Sequence, residues 1–517
     1  MKTTTKLQIL IVFLFPVVVF AYPLDGYNET GIRRIEAARL AVFGEMKGRK
    51  QPPGALLPNQ SIELQLLDYP ALNLPPPDPG FTAKISKLLG KSRKRYGISI
   101  LDISDPNKPL YAEYRGNYRQ NVGSVGKILV GLALFQALAD IYPDDIEARK
   151  KILRETIVTA DNFIYTDHHT VGIFNPESKK KIIRPLKIGD QGNLWEWLDW
   201  MLSASSNAAA ATVMKQAMLL NQYGKDYPQG DDESIQFFNN TPRKALNQLF
   251  VKTFIDPLSR NGLDPEFFRQ GSFFTRYGKK KASAGSSYGT ARQLMLFNLR
   301  MEQGRLVDTF SSKEIKRLLY MTGRRIRYAS APALAESAIY FKSGSLYKCK
   351  PEPDFVCEKY RGNVRNYMNS LALVESPVGE NRINYMVTLL SNVLYKNSAV
   401  AHQTLGTRIH RAIEALHPYQ TVTTEGIPIA ASFGGKLIGY EEKRKQRLQI
   451  VNTQAALEKL GYAVGGVDGK IGSKTRRAIK KFQSTHKIKA DGKTSAALLE
   501  QLEQVLELTL KPPHLEQ

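Results

Sequence analysis

The chain predicts an α+β domain followed by a small, separate helical module, and three observations carry that reading. Alternating, β-branched strand patterns stand near both ends of a long region, while helical patterns fill its middle. A Gly-Gly stretch running into charges at residues 418–446 then sets off residues 447–508 as a unit of their own. At 517 residues the chain exceeds one ordinary core. With 42% hydrophobic and 23% charged residues, it has enough apolar material to fold rather than remain disordered.

In order, residues 1–21 read as an export leader. Lys2 and Lys6 precede an apolar stretch over 7–20, and Val19-Phe20-Ala21 ends it as a cleavage site. That stretch is short for a membrane span and no later segment replaces it, so no stable span is expected once the leader is removed. Residues 22–80 mix a helical pattern (29–47) with Pro-rich segments at 51–54 and 74–80, and serve either as an extra layer or as a spacer. Strands are expected at 96–102 and 110–114, joined by the Asp105-Pro106-Asn107 turn. A helix apolar on nearly every side follows Ser124 and reads as the buried centre of the domain. Helices continue over 146–156, 194–202, 208–220, 291–302 and 313–321. Strands return at 338–342, 368–374 and 385–390 before a last helix at 398–416. The main domain is thus expected over 81–417, with N- and C-terminal strands sharing one sheet.

Net charge is +25, from 73 Lys and Arg against 48 Asp and Glu. Such a balance suits anionic surroundings. The basic stretches at 91–95, 179–181 and 279–281 lack interleaved aromatics, which argues against nucleic acid. The two cysteines, Cys349 and Cys357, lie close together, and in an oxidising compartment they are expected to close a loop as a disulfide. His168-His169 has no further ligands at metal-binding spacing and reads as a loop pair; no metal and no cofactor are called for.

Three short motifs carry the chemistry. Ser124-Val125-Gly126-Lys127, Ser205-Ser206-Asn207 and Lys342-Ser343-Gly344 occur in that order. Ser-x-x-Lys at a helix start places both side chains on one face. A buried Lys loses its proton more readily, so Lys127 can serve as the base that activates Ser124. Ser205 is then placed to protonate a leaving nitrogen, with Asn207 bonding substrate or Lys127. Lys342, helped by Ser343, is placed to bind a substrate carboxylate.

The ordered set resembles the serine β-lactamase and penicillin-binding-protein superfamily, especially its class A β-lactamase-like branch, over residues 81–417. The helix running into Ser205 and the segments Gly289-Thr290-Ala291-Arg292 and Glu302-Gln303-Gly304 add to the likeness. The resemblance implies a β-lactamase/DD-peptidase-like sheet-and-helix domain. It also implies an acyl-enzyme on Ser124 and an oxyanion hole from the N–H groups of Ser124 and Ser345. The branch's deacylating Glu, within Glu-x-x-x-Asn, has one counterpart, Glu266, where Gln270 replaces the Asn. That departure favours a helix-start role for Glu266 and weakens the case for rapid β-lactam hydrolysis.

Residues 447–508 are similar to the three-helix peptidoglycan-binding domain. The segments Leu460-Gly461-Tyr462, Val467-Asp468-Gly469, Lys481-Phe482-Gln483 and Asp491-Gly492-Lys493-Thr494 fall in that family's order. Together the two resemblances imply an exported, wall-associated serine hydrolase acting on peptidoglycan peptides, with β-lactams as substrates or inhibitors. A β-lactamase and a non-catalytic wall-binding protein are the competing readings.

Overall fold

A computed structural model describes residues 25–48, 51–57, 59–320, 325–380, 382–417, 438–467, 469 and 471–510. The expected leader and residues 418–437 of the expected linker over 418–446 lie outside the described residues, whereas 438–446 are not linker but the first turns of a helix over Ile438–Lys459. The fold is α+β: a five-stranded antiparallel sheet with helices on both faces, a helical region against one side, and a C-terminal three-helix module.

Strands β1 (Tyr96–Asp102) and β2 (Leu110–Tyr114) form the expected hairpin. Three late strands complete the sheet: β3 (Ala338–Lys348), β4 (Arg365–Ser376) and β5 (Ile383–Asn392). The spatial order β2-β1-β5-β4-β3 places β1 beside β5, with Ile98 opposite Leu389. N- and C-terminal strands therefore share one sheet, as their patterns predicted. Successive residues of a strand face opposite sides, and here each side has its own core. Ile98, Ile100, Ala372, Val374, Val387 and Leu389 point to one, and Leu101, Leu371, Leu373, Met386 and Leu390 to the other. Near-continuous apolar runs result, because neither face meets water.

The residues before β1 are part of this fold. Helix α1 (Arg33–Phe43) and its capping residue send Ile35 and Ile32 into the larger core, and Leu57, Ile62 and Leu66 follow. The Pro-rich stretch closes with α2 (Pro79–Leu88), whose first turn is capped by Asp78 accepting from the Phe81 N–H. The expected extra layer is the one that forms. The central helix α3 (Lys127–Ile141) has residues 127–139 buried. Together with the 3-10 turn before it (Gly123–Ile141), it makes the one described helical segment long and apolar enough to cross a membrane, and it lies inside the protein. Burying each of its Leu, Ile and Phe side chains contributes roughly 1.5–3 kcal/mol.

Packed on α3 are α4 (Leu194–Leu202), with Trp197 and Trp200 edge to face, and α5 (Asn207–Tyr223). Arg33 and Arg34 of α1 pair with Glu196 and Asp199 of α4 at 2.6 and 2.7 Å. The region after α5 contains helices over Asp231–Asn240 and Arg243–Phe254, where the sequence patterns predicted no element. Helix α6 (Ala291–Glu302) matches its expected bounds, and α7 (Thr309–Leu319) begins one turn earlier than expected. On the opposite face, α8 (Ser398–Glu414) covers β4 and β5.

Lys316 of α7 ties the early segment to the sheet. Its buried ammonium donates to Glu302 (2.9 Å), Glu375 (2.7 Å) and the Glu63 carbonyl (2.5 Å). The Gln65 N–H also donates to the Glu302 carboxylate, at 2.8 Å.

The C-terminal module contains α9 (Ile438–Lys459), α10 (Ser473–Thr485) and α11 (Ala496–Leu510). Leu457, Ile479, Phe482, Leu498 and Leu502 form its core. The glycines Gly469 and Gly492 are held alike. Gln454 accepts from the Gly469 N–H and Gln483 from the Gly492 N–H, both at 2.9 Å.

Removing one partner from a buried ion cluster leaves the others uncompensated, at a cost of about 3–5 kcal/mol. Lys316→Ala should lower unfolding free energy by about that amount in urea titrations. Lys313→Ala, at an exposed pair with Glu63, should cost about 1 kcal/mol or less.

Candidate active site

The three motifs meet where α3, the α4–α5 turn and β3 converge. Ser124 lies in a tight 3-10 turn, Gly123–Gly126, that runs directly into α3, three residues before Lys127. Gly123 occupies the left-handed region, φ +55°, open at little cost to a residue without Cβ. Ser205 is in the turn between α4 and α5, also left-handed at φ +61°. This is uncommon for a residue with a side chain and costs on the order of 1–3 kcal/mol. The turn is fixed by the Ser206 N–H donating to the Trp200 carbonyl at 3.1 Å, and by Ser206 capping α5.

The distances join these residues into two linked groups. Lys127 Nζ is 2.8 Å from Ser124 Oγ and 2.7 Å from Asn207 Oδ1. Lys342 Nζ lies 2.7 Å from Ser205 Oγ and 3.3 Å from the Ser343 carbonyl. Both ammonium groups are buried. Burial pushes Lys127 down to about 7, against the opposing pull of Asp167. Burial, then the cations of Lys127 and Arg327, hold Lys342 well below the usual lysine range. A lysine near 7 is half deprotonated at neutral pH, the state a general base requires. Lys342, engaged with Ser205, sits where it can supply or receive that hydroxyl's proton.

Gly344 explains why the third motif ends in glycine. A Cβ built there would fall 2.1 Å from the Val122 carbonyl oxygen and 2.6 Å from the Ser124 nitrogen. Strand β3 thus lies directly against the turn carrying Ser124. From the other side, a Cβ on Gly123 would lie 3.2 Å from the Ser345 nitrogen. The backbone nitrogens of Ser124 and Ser345 therefore stand at one junction.

Glu266 is not in this group. It is exposed on a turn, its N–H donating to Asp264 at 2.8 Å and its carbonyl accepting from Arg119 at 3.1 Å. Asp264 caps that turn, and no helix follows it, so the helix-start role expected of Glu266 becomes that of a turn residue. The Phe274 ring lies over Lys127 Nζ at 4.3 Å. Gln270 is buried beside Gly126, where a Cβ would meet its Oε1 at 2.3 Å. That oxygen has no hydrogen-bond partner.

Arg327, which no sequence pattern singled out, reaches the site from 15 residues before Lys342 in a left-handed conformation, φ +53°. It donates to Ser343 Oγ at 2.7 Å, and to Ser345 Oγ and the Tyr360 hydroxyl, each at 3.1 Å. Asp167 supports the other wall by accepting from Ser206 Oγ (2.8 Å) and the Ala208 N–H (2.9 Å). His169 lies 2.6 Å from its second oxygen. Although burial pushes Asp167 up, these bonds hold its carboxyl well below the usual range. Of the His168-His169 pair, His169 thus braces the loop. Cys349 and Cys357 form the expected disulfide in the loop between β3 and β4.

Residues 446–502 match a family model described as a putative peptidoglycan binding domain. No curated protein matches the chain. Among solved structures, PBP-A is similar at 14% identity and TM-score 0.40, covering 66% of this chain and all of PBP-A. A β-lactamase from Sphaerobacter thermophilus is similar at 13% identity and TM-score 0.40, over 64% of this chain and 96% of its own. A reconstructed last common ancestor of Gram-negative class A β-lactamases matches at 16% identity and TM-score 0.40, over 65% of this chain and 100% of that one.

If Lys127 is the base, acylation of Ser124 by a β-lactam probe should rise with pH through about 7, because the proton must leave Lys127 first. Stopped-flow rates between about pH 5 and 9 check this. Lys127→Ala should slow acylation by about 10²–10⁴-fold, and Lys127→Arg, protonated throughout, should lose the limb near 7.

Proposed function

We propose that the chain is an exported serine hydrolase that cleaves peptidoglycan peptides of the D-alanyl-D-alanine type through an acyl-enzyme on Ser124. The single observation that carries this reading is the contact of Ser124 with a buried Lys127 whose other polar partner is Asn207. The match of residues 446–502 to a peptidoglycan-binding family supports the wall polymer as partner. Removal of residues 1–21 during export belongs to the same proposal.

Neutral Lys127 takes the proton of Ser124 as Oγ attacks the carbonyl carbon. The negative charge developing on the carbonyl oxygen is received by the N–H groups of Ser124 and Ser345. Ser205 gives its proton to the departing nitrogen, and the C–N bond breaks. Lys342 restores the Ser205 proton, and Lys127 returns the one it took through Lys342. Water then attacks the ester, Lys127 again removing its proton, and the acid leaves with Ser124 regenerated. Arg327, with the hydroxyls of Ser343 and Ser345, binds the carboxylate at the end of the peptide. This shifts that role from Lys342, which is occupied with Ser205.

The surroundings of Lys127 favour a peptidase over a β-lactamase. Its contacts are a hydroxyl, an amide and the Phe274 ring, with Glu266 on an exposed turn. A β-lactam would acylate Ser124 and then wait, since the second, carboxylate base that speeds water attack is not beside it.

Intact-protein mass spectrometry with a labelled penicillin tests the assignment. One long-lived adduct is expected on the wild type and none on Ser124→Ala. An adduct that survives Ser124→Ala, or none on the wild type, overturns the nucleophile, the latter leaving a non-catalytic wall-binding protein. Rapid turnover of the adduct would mark a β-lactamase instead. Deleting residues 438–517 should abolish co-sedimentation with purified peptidoglycan while leaving penicillin labelling unchanged.

A further inference from the structure

Arg327 is a cation held by hydroxyls alone. Its partners are Ser343, Ser345 and Tyr360, and its buried Nε has no partner. No described carboxylate forms an ion pair with it. A half-buried guanidinium left this way retains its attraction for an anion. Each hydroxyl that accepts from it keeps its own proton to donate.

Tyr360 comes from a different part of the chain. The Arg327 guanidinium lies over its ring, 4.8 Å from the centroid, while its hydroxyl accepts from Nη2. The ring therefore touches the guanidinium face and the hydroxyl its edge, which leaves that cation little freedom to swing. Tyr360 is itself left-handed, at φ +67°, an expensive conformation for a bulky residue.

Three anchors hold it there. The turn at 358–361 closes with the Arg361 N–H donating to the Glu358 carbonyl at 3.0 Å. The Tyr360 carbonyl accepts from Ser398 at the start of α8, from N–H at 2.9 Å and from Oγ at 3.1 Å. The Cys349–Cys357 bond closes the loop on the side leading back to β3.

We propose that Tyr360 is a positioning residue, carried by the disulfide-closed loop to fix Arg327 as the receptor for the substrate's terminal carboxylate. The loop thereby sets selectivity for acids over neutral analogues. This rests on the proposed peptidase reading, since it assigns the carboxylate to that substrate.

The test compares full-length wild type, Tyr360→Phe, Tyr360→Ala and the Cys349→Ser/Cys357→Ser pair. Calorimetry measures binding of N-acetyl-D-alanyl-D-alanine and of its C-terminal amide, and steady-state assays give KM and kcat for the acid. Tyr360→Phe should weaken binding of the acid about 3-fold, and Tyr360→Ala and the cysteine pair about 10-fold or more, about 1.4 kcal/mol. Binding of the amide should not change, and the loss should fall on KM with kcat retained. Equal losses for acid and amide would mean a structural role and overturn the proposal, as would unchanged acid binding in Tyr360→Ala. Penicillin labelling that survives Ser124→Ala defeats the peptidase reading separately, because the calorimetric contrast needs no turnover.

Discussion

Two lysines buried in one cleft, neither touching a carboxylate, are the constraint on which the site depends. An ammonium group out of water is costly unless paired. Here Lys127 and Lys342 meet hydroxyl, amide and carbonyl oxygens, and the Lys127 cation adds to the cost of charging Lys342. The cleft can keep such groups only if three distant segments arrive together: the start of α3, the α4–α5 turn and β3. The glycines at 123 and 344 permit that convergence, since side chains there would separate the strand from the turn. What looks like a sequence signature is, in packing terms, the minimum needed to hold two unwilling cations beside two serines.

The same cleft collects backbone strain. Ser205, Thr166, Arg327 and Tyr360 all have positive φ, and Thr166, being β-branched, suits it least. Thr166 precedes Asp167, which holds the N-terminus of α5 through Ser206 and Ala208. Each such residue costs on the order of 1–3 kcal/mol, and the two cores flanking the sheet are what offset it. Stability made elsewhere is thus converted into fixed side-chain direction at the cleft.

Much of this was legible in the sequence, and the reason is local. Each motif needs only neighbouring residues to place two groups on one turn, and β1 and β5 read as strands because a core on each face leaves short, near-continuous apolar runs. What was not legible depends on residues far apart. Arg327 has no periodic or motif context, and its meaning comes from Ser343, Ser345 and Tyr360, which only folding brings near. Phe274 over Lys127 and Gln270 beside Gly126 are likewise visible only after the chain closes. Residues 51–80 left layer and spacer both open because proline interrupts periodicity, and it is Leu57, Ile62 and Leu66, as core residues, that make them a layer. The helices over Asp231–Asn240 and Arg243–Phe254 were missed because short amphipathic segments beside polar loops resemble insertions.

The sheet order has a consequence for how the protein comes into being. β1 is flanked by β2 from its own hairpin and by β5, which follows almost the whole domain later. A lone two-stranded hairpin is marginal in water. The central strand therefore finds its second neighbour only once residues 383–392 have been made, and pairings so distant in sequence form late. Until then the apolar runs of β1 and α3 have no finished partner, and the growing chain remains extended and in need of shielding. A topology that cannot close early thus works as a built-in delay in folding.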